Sequence, residues 1–110
     1  GVTAAFNRNL LVRANRELGA DFDVNRFAHR AIWNPMKSRV EMHLVSDGRQ
    51  RVRIPASDLD LIFEPGEAIW TESSYKYQAS DIAPMLARAG FSVVSQWVEN
   101  RYAVTLLEAT

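Results

Sequence analysis

The apolar residues change their spacing at Asn34-Pro35. Before it, Phe6, Leu10, Ala14 and Leu18 recur every four positions, the repeat of one face of an α-helix. After it, Val40, Met42 and Leu44 alternate with Arg39, Glu41 and His43, the repeat of a half-buried strand. A segment written in one period cannot adopt the other without turning apolar side chains to water, so the chain must mix helices and strands. The boundary falls where it does because a residue before proline avoids helical backbone angles.

Each half carries its own punctuation. The spacing predicts a helix over Thr3 to Leu18, capped by Thr3 and stopped by a left-handed Gly19. A second, shorter helix is predicted over Val24 to Arg30, capped by Asp23 and burying Phe27. Strands follow at Arg39 to Leu44, Arg51 to Ile54, Leu59 to Phe63 and Glu67 to Ser74, with Asp47-Gly48 as a hairpin turn and Pro65-Gly66 as another turn. Ser80 caps a helix to about Ala89, with Ile82, Leu86 and Ala89 inward and Pro84 in its first turn. Two last strands, Phe91 to Val98 and Tyr102 to Leu107, are joined by Glu99-Asn100-Arg101. This order is α+β, helices on a mostly antiparallel sheet, or else the tail of a larger α/β fold.

Charge and composition exclude several functions. Thirteen basic residues balance 13 acidic ones, so the net basic face that a dedicated nucleic-acid binder or a polybasic membrane patch requires is missing. Arg8, Arg13, Arg16, Arg26 and Arg30 crowd the first third and read as a solvated helix face. The absence of cysteine removes disulfides, thiolate nucleophiles and thiolate metal centres, and permits a cytoplasmic location. No apolar run is long enough to span a bilayer as a helix. The chain opens at Gly1-Val2-Thr3, which reads as a boundary rather than a processed start.

Among residues that carry chemistry, Glu72 and Ser74 stand out. Two apart on a strand, they share a face. A carboxylate that only accepts and a hydroxyl that donates or accepts suit a planar ring with two nitrogens, such as imidazole, although from the residues alone a solvated strand face is the better explanation. Met42 points inward with Val40 and Leu44, as core or as an apolar pocket wall. His29 and His43 lack metal-ligand spacing and read as boundary residues. Asp21, Asp23, Asp58 and Asp60 suit turns and caps better than a calcium loop. Trp33, Trp70, Trp97, Tyr75, Tyr77 and Tyr102 read as core or pocket wall. The five glycines are scattered, so no phosphate- or nucleotide-cradling loop is present.

Four stretches resemble the histidine N-alpha-methyltransferase family, which makes hercynine on the route to ergothioneine. They are T-A-A-F-N-R-N-L-L-V-R-A-N-R-E-L-G-A-D-F-D (Thr3 to Asp23), R-V-E-M-H-L-V-S (Arg39 to Ser46), G-E-A-I-W-T-E-S-S-Y-K-Y (Gly66 to Tyr77) and A-G-F-S-V-V-S-Q-W (Ala89 to Trp97). They arrive in the family's order and cover nearly the whole chain, but only the C-terminal part of a family member. The resemblance implies that residues 1–75 belong to a substrate-binding domain. It implies that residues 76–110 are the last helix and two strands of a class I, Rossmann-like methyltransferase domain. Glu72 would bind the imidazole of L-histidine, Ser74 would contact the ring's other side, and Met42 would line the pocket. The cofactor would be S-adenosylmethionine, bound upstream of Gly1, with no metal and no catalytic residue in this chain. The implied reaction is direct displacement, the neutral α-amine attacking the sulfonium methyl. A related methyltransferase of another amine, and a standalone binding module, compete with this reading; Glu72 discriminates the first, since a substrate without imidazole has less use for a carboxylate. Strands separated from a larger sheet would leave open edges, so self-association is expected.

Overall fold

The computed structural model describes every residue, Gly1–Thr110, and the chain divides into two compact units, Gly1–Tyr75 and Lys76–Thr110. The fold is α+β, with every strand pair antiparallel.

In the first unit, helix α1 (Val2–Leu18) is followed by strands β1 (Phe27–Asn34), β2 (Arg39–Ser46), β3 (Gln50–Ile54), β4 (Leu59–Phe63) and β5 (Ala68–Tyr75). They form a three-stranded sheet in the order β1-β2-β5 and a separate β3-β4 ladder. The core is Leu11 of α1 with Phe27, Leu44, Val52 and Phe63, and Phe22, Val24, Ile54, Leu61 and Ile69 pack around it. Phe27 sets its ring edge-on to both Phe22 and Phe63, at centroid distances of 5.7 and 5.4 Å, the arrangement that ring quadrupoles favour.

Several sequence expectations are corrected here. Gly1, not Thr3, caps α1. Gly19 does end it in the left-handed conformation, with its own N–H and that of Ala20 returning to the Ala14 carbonyl. The stripe of α1 that meets the core is Ala4, Asn7, Leu11 and Ala14, while Phe6, Leu10 and Leu18 face out. α1 therefore carries two apolar stripes, and the predicted one, Ala14 excepted, is the outer.

The predicted helix over Val24 to Arg30 is a 3-10 turn, Val24–Arg26, leading into β1. From Phe27 onward, pairing with β2 (Phe27 opposite Ser46 through Asn34 opposite Arg39) satisfies every other backbone group and buries Phe27, which a short helix would not do as well. Asn34 closes this hairpin by accepting the Lys37 N–H at 3.1 Å. Asp47-Gly48 does not make a hairpin. β2 pairs with β1 and β5, whereas β3 pairs with β4, and Gly48 has no positive φ, so the dipeptide carries the chain from one ladder to the other. Asp47 instead takes the Arg26 guanidinium at 2.9 Å.

Helix α2 (Ala79–Arg88) and the hairpin β6 (Phe91–Glu99) and β7 (Tyr102–Ala109) make the second unit. Asp81 accepts the Gln78 N–H at 3.0 Å, so the helix starts at Gln78 rather than Ser80. Ile82, Met85 and Leu86 are half-buried, and Ala89 is exposed. Pro84 lies in the second turn, not the first, and removes the N–H that would reach the Ser80 carbonyl. Asn100, at φ 48°, turns the hairpin. No residue of this unit is fully buried.

Candidate functional site

β2 and β5 run antiparallel with Met42 opposite Glu72 and Val40 opposite Ser74. Directly opposed residues of an antiparallel pair project from the same face. Met42 also alternates with Leu44, which lies in the core beneath α1. Met42, Glu72 and Ser74 are thus neighbours on the helix side of the sheet, and the three candidate residues are brought together. Met42 and Ser74 are half-buried and Glu72 is exposed. A thioether beside a carboxylate and a hydroxyl gives one apolar and two polar contacts on one small patch.

That patch depends on an irregularity. The consecutive residues Met42 and His43 face Glu72 and Trp70, so Thr71 is an extra residue in β5. Trp70 stacks on His43 on the face away from α1, with centroids 5.9 Å apart and planes 19° apart. Thr71 points to α1, where its hydroxyl meets Asn7 Oδ1 at 2.6 Å and the Met42 carbonyl at 3.0 Å. Asn7, 2% exposed, donates its amide hydrogens to His29 Nδ1 at 2.9 Å and the His43 carbonyl at 3.2 Å. These polar residues escaped sequence reasoning. Asn7 hides its stripe because it interrupts the apolar spacing, and nothing in T-E-S-S marks a bulge.

The outer face of the same sheet is a second polar assembly. Glu41 accepts from Arg39 Nε at 2.8 Å and from Asn34 at 3.0 Å, and sits 3.2 Å from His43 Nε2. The Asn34 amide, then the Arg39 guanidinium, hold the Glu41 carboxyl below the usual carboxylate range. Arg39 also lies over the Trp70 ring at 4.5 Å and donates to the Tyr75 hydroxyl at 2.7 Å. His43 is therefore a boundary residue, as its alternation indicates, and His29 is a strand residue held by Asn7. The six tryptophans and tyrosines are not core: each is exposed over about half its surface. The arginines of the first third are not uniformly solvated either, since Arg8 is half-buried and donates to the Phe27 carbonyl at 3.1 Å. Asp21 accepts the Arg53 N–H at 2.6 Å and Asp60 pairs with Arg51, so both have structural duties. No group of three or more His, Asp or Glu side chains converges as a metal site would require.

A family model described as histidine-specific methyltransferase, SAM-dependent, matches residues 1–109. The chain is 50% identical over 100 residues to a histidine N-alpha-methyltransferase of Mycobacterium tuberculosis (strain CDC 1551 / Oshkosh), covering 91% of this chain and 31% of that protein. It is 46% identical over 99 residues to the histidine N-alpha-methyltransferase of Mycolicibacterium smegmatis (strain ATCC 700084 / mc(2)155), covering 90% of this chain and 31% of that protein. The chain thus spans just under a third of the length of these curated relatives. Its glycines do not form the turn that cradles an adenosyl cofactor in a Rossmann-like fold. Gly19 and Gly90 follow helices, Gly48 and Gly66 join strands, and the strand-to-α-helix passage Lys76-Tyr77-Gln78 contains no glycine, so there is no strand–glycine–helix turn to approach such a ligand. With a match along nearly its whole length, the chain belongs to the histidine-specific, S-adenosylmethionine-dependent methyltransferase family.

Proposed function

We propose that these residues are the substrate-recognising part of an enzyme that trimethylates the α-amine of L-histidine to hercynine, on a cytoplasmic route to ergothioneine. The observation that carries this reading is the pairing of Met42 with Glu72 and of Val40 with Ser74 on one face, in a chain of a histidine-specific family. Glu72 takes one imidazole N–H. Ser74 meets the second ring nitrogen, donating to it when bare and accepting from it when protonated. Met42 lies against the ring and keeps water from it. Residues 1–75 are the substrate domain, and residues 76–110 complete the sheet of the methyltransferase domain. The cofactor is held by sequence outside these 110 residues, and this chain alone transfers no methyl group.

The work of Glu72 and Ser74 is orientation and selection. Fixing the ring fixes where the α-amine lies, and alignment of the amine is the protein's main lever in a displacement reaction. A site built to hydrogen-bond its substrate rejects analogues that leave those groups unpaired. In the complete enzyme, Glu72→Ala is expected to lower kcat/KM for L-histidine by about 1–3 kcal/mol, roughly fivefold to 150-fold, while other amino acids lose little. Steady-state turnover of L-histidine against amino acids lacking imidazole checks this. An unchanged preference for histidine in the variant defeats the assignment.

A further inference from the structure

We infer that Asn7 and Thr71 are positioning residues for Glu72: together they form a part-buried clasp that holds the bulge in β5 and so decides which face of the sheet Glu72 takes. The inference rests on the reading of Glu72 as the imidazole anchor.

The phase of β5 is the starting point. Trp70 faces His43, on the side of Arg39 and Glu41. In an uninterrupted strand Glu72, two residues on, would join Trp70 on that outer side. Thr71, as the extra residue, shifts everything after it by one, and Glu72 and Ser74 come to the side of Met42. The site exists only while the bulge does.

A bulge leaves a residue without its ladder partners, and something must hold it. Here the holder is one side chain that reaches all three strands of the sheet. Asn7 comes from α1. Its amide donates to His29 on β1 and to the His43 carbonyl on β2, and its oxygen accepts from Thr71 on β5. Both hydrogens and the carbonyl of the amide are used. Thr71 in turn shares its proton with the Met42 carbonyl. The two carbonyls that receive these bonds, Met42 and His43, belong to the two residues between which the register shifts. An apolar residue in place of Asn7 or Thr71 would fill the space without specifying the register.

The test is kinetic, in the complete enzyme, with Thr71→Val, Thr71→Ser, Glu72→Gln and the Thr71→Val/Glu72→Gln double variant. Valine keeps the branched shape and removes only the hydroxyl; Thr71→Ala replaces it should that variant fail to fold. Thr71→Val is expected to raise KM for L-histidine about tenfold, the effect of losing one part-buried hydrogen bond, to leave KM for S-adenosylmethionine within about twofold, and to be rescued by Thr71→Ser. If Thr71 acts through Glu72, Thr71→Val adds little in the Glu72→Gln background, whereas a merely structural effect multiplies. A histidine KM unmoved by Thr71→Val, or independent effects in the double variant, overturns the positioning role while Glu72→Gln alone still weakens histidine. A Glu72→Gln enzyme with normal histidine KM overturns instead the pocket reading beneath it.

Discussion

The two units solve the same problem, an antiparallel ladder with a helix, in opposite ways. Gly1–Tyr75 closes on itself: Leu11, Phe27, Leu44, Val52 and Phe63 leave almost no surface to solvent. Lys76–Thr110 does not. Val93 and Leu107, paired across the hairpin, are only half-buried, while Trp97 faces Val104, with Tyr102 and Leu106 alongside on β7, each more than half exposed. An unpaired two-stranded ladder is marginal in water. The difference teaches that a β-branched and aromatic alternation specifies a strand in both units, but only the first contains the partners that its apolar face requires.

Point substitutions should split the two units most sharply. Phe27→Ala is expected to cost about 3–5 kcal/mol, most of the stability of a unit this small. Trp97→Ala, for all its bulk, should change the chain's stability in denaturant unfolding by less than about 0.5 kcal/mol. Equal effects would mean that the hairpin is buried in solution, and the contrast between the units would collapse. Next in size is self-association of the isolated chain, expected through the open edges and apolar face of the β6–β7 hairpin. Trp97→Ser with Leu106→Ser should weaken it markedly in sedimentation velocity at high concentration, whereas Leu59→Ser, on the self-contained unit, should not. The smallest effect concerns pH. The Glu41 carboxyl is held below its ordinary range by Asn34 and Arg39. A depressed folded value means that its stabilisation of the first unit is complete above the unfolded glutamate value of about 4.3 and is lost as pH falls through the lower folded value. The stability gap between the parent chain and Glu41→Gln should therefore narrow in acid; a gap constant down to about pH 3 would detach Glu41 from the sheet's acid response.

Much of this was legible in the spacing of residues, and what was not has particular causes. Strict alternation revealed β2 and β3, and the two-residue separation put Glu72 and Ser74 on one face. Met42 was read inward, and it is on that same face. The helix α1 was visible but not its orientation, because Phe6/Leu10/Leu18 is the more apolar stripe and the buried one carries Asn7. Val24 to Arg30 misled because Asp23 is a good cap, yet cross-strand pairing with β2 outweighs local propensity. Asp47-Gly48 has the composition of a tight turn, but strand partners are set by the whole sheet, and these lie in different ladders. The bulge at Thr71 left no trace in composition because its cause, an asparagine 64 residues earlier, is distant in sequence.

The bulge also governs how this sequence can vary. Outside Thr71, Glu72 and Ser74, replacing one side chain of β5 by another leaves every neighbour on its own side, so those positions can drift in their letters. Removing or adding one residue between Trp70 and Glu72 cannot be absorbed in the same way. It would exchange the surfaces served by all that follows, taking the carboxylate and the hydroxyl from beside Met42 to beside Arg39 in a single step. Kindred chains that keep the site should thus agree here in length, whatever the spelling of the positions around Thr71 and Glu72.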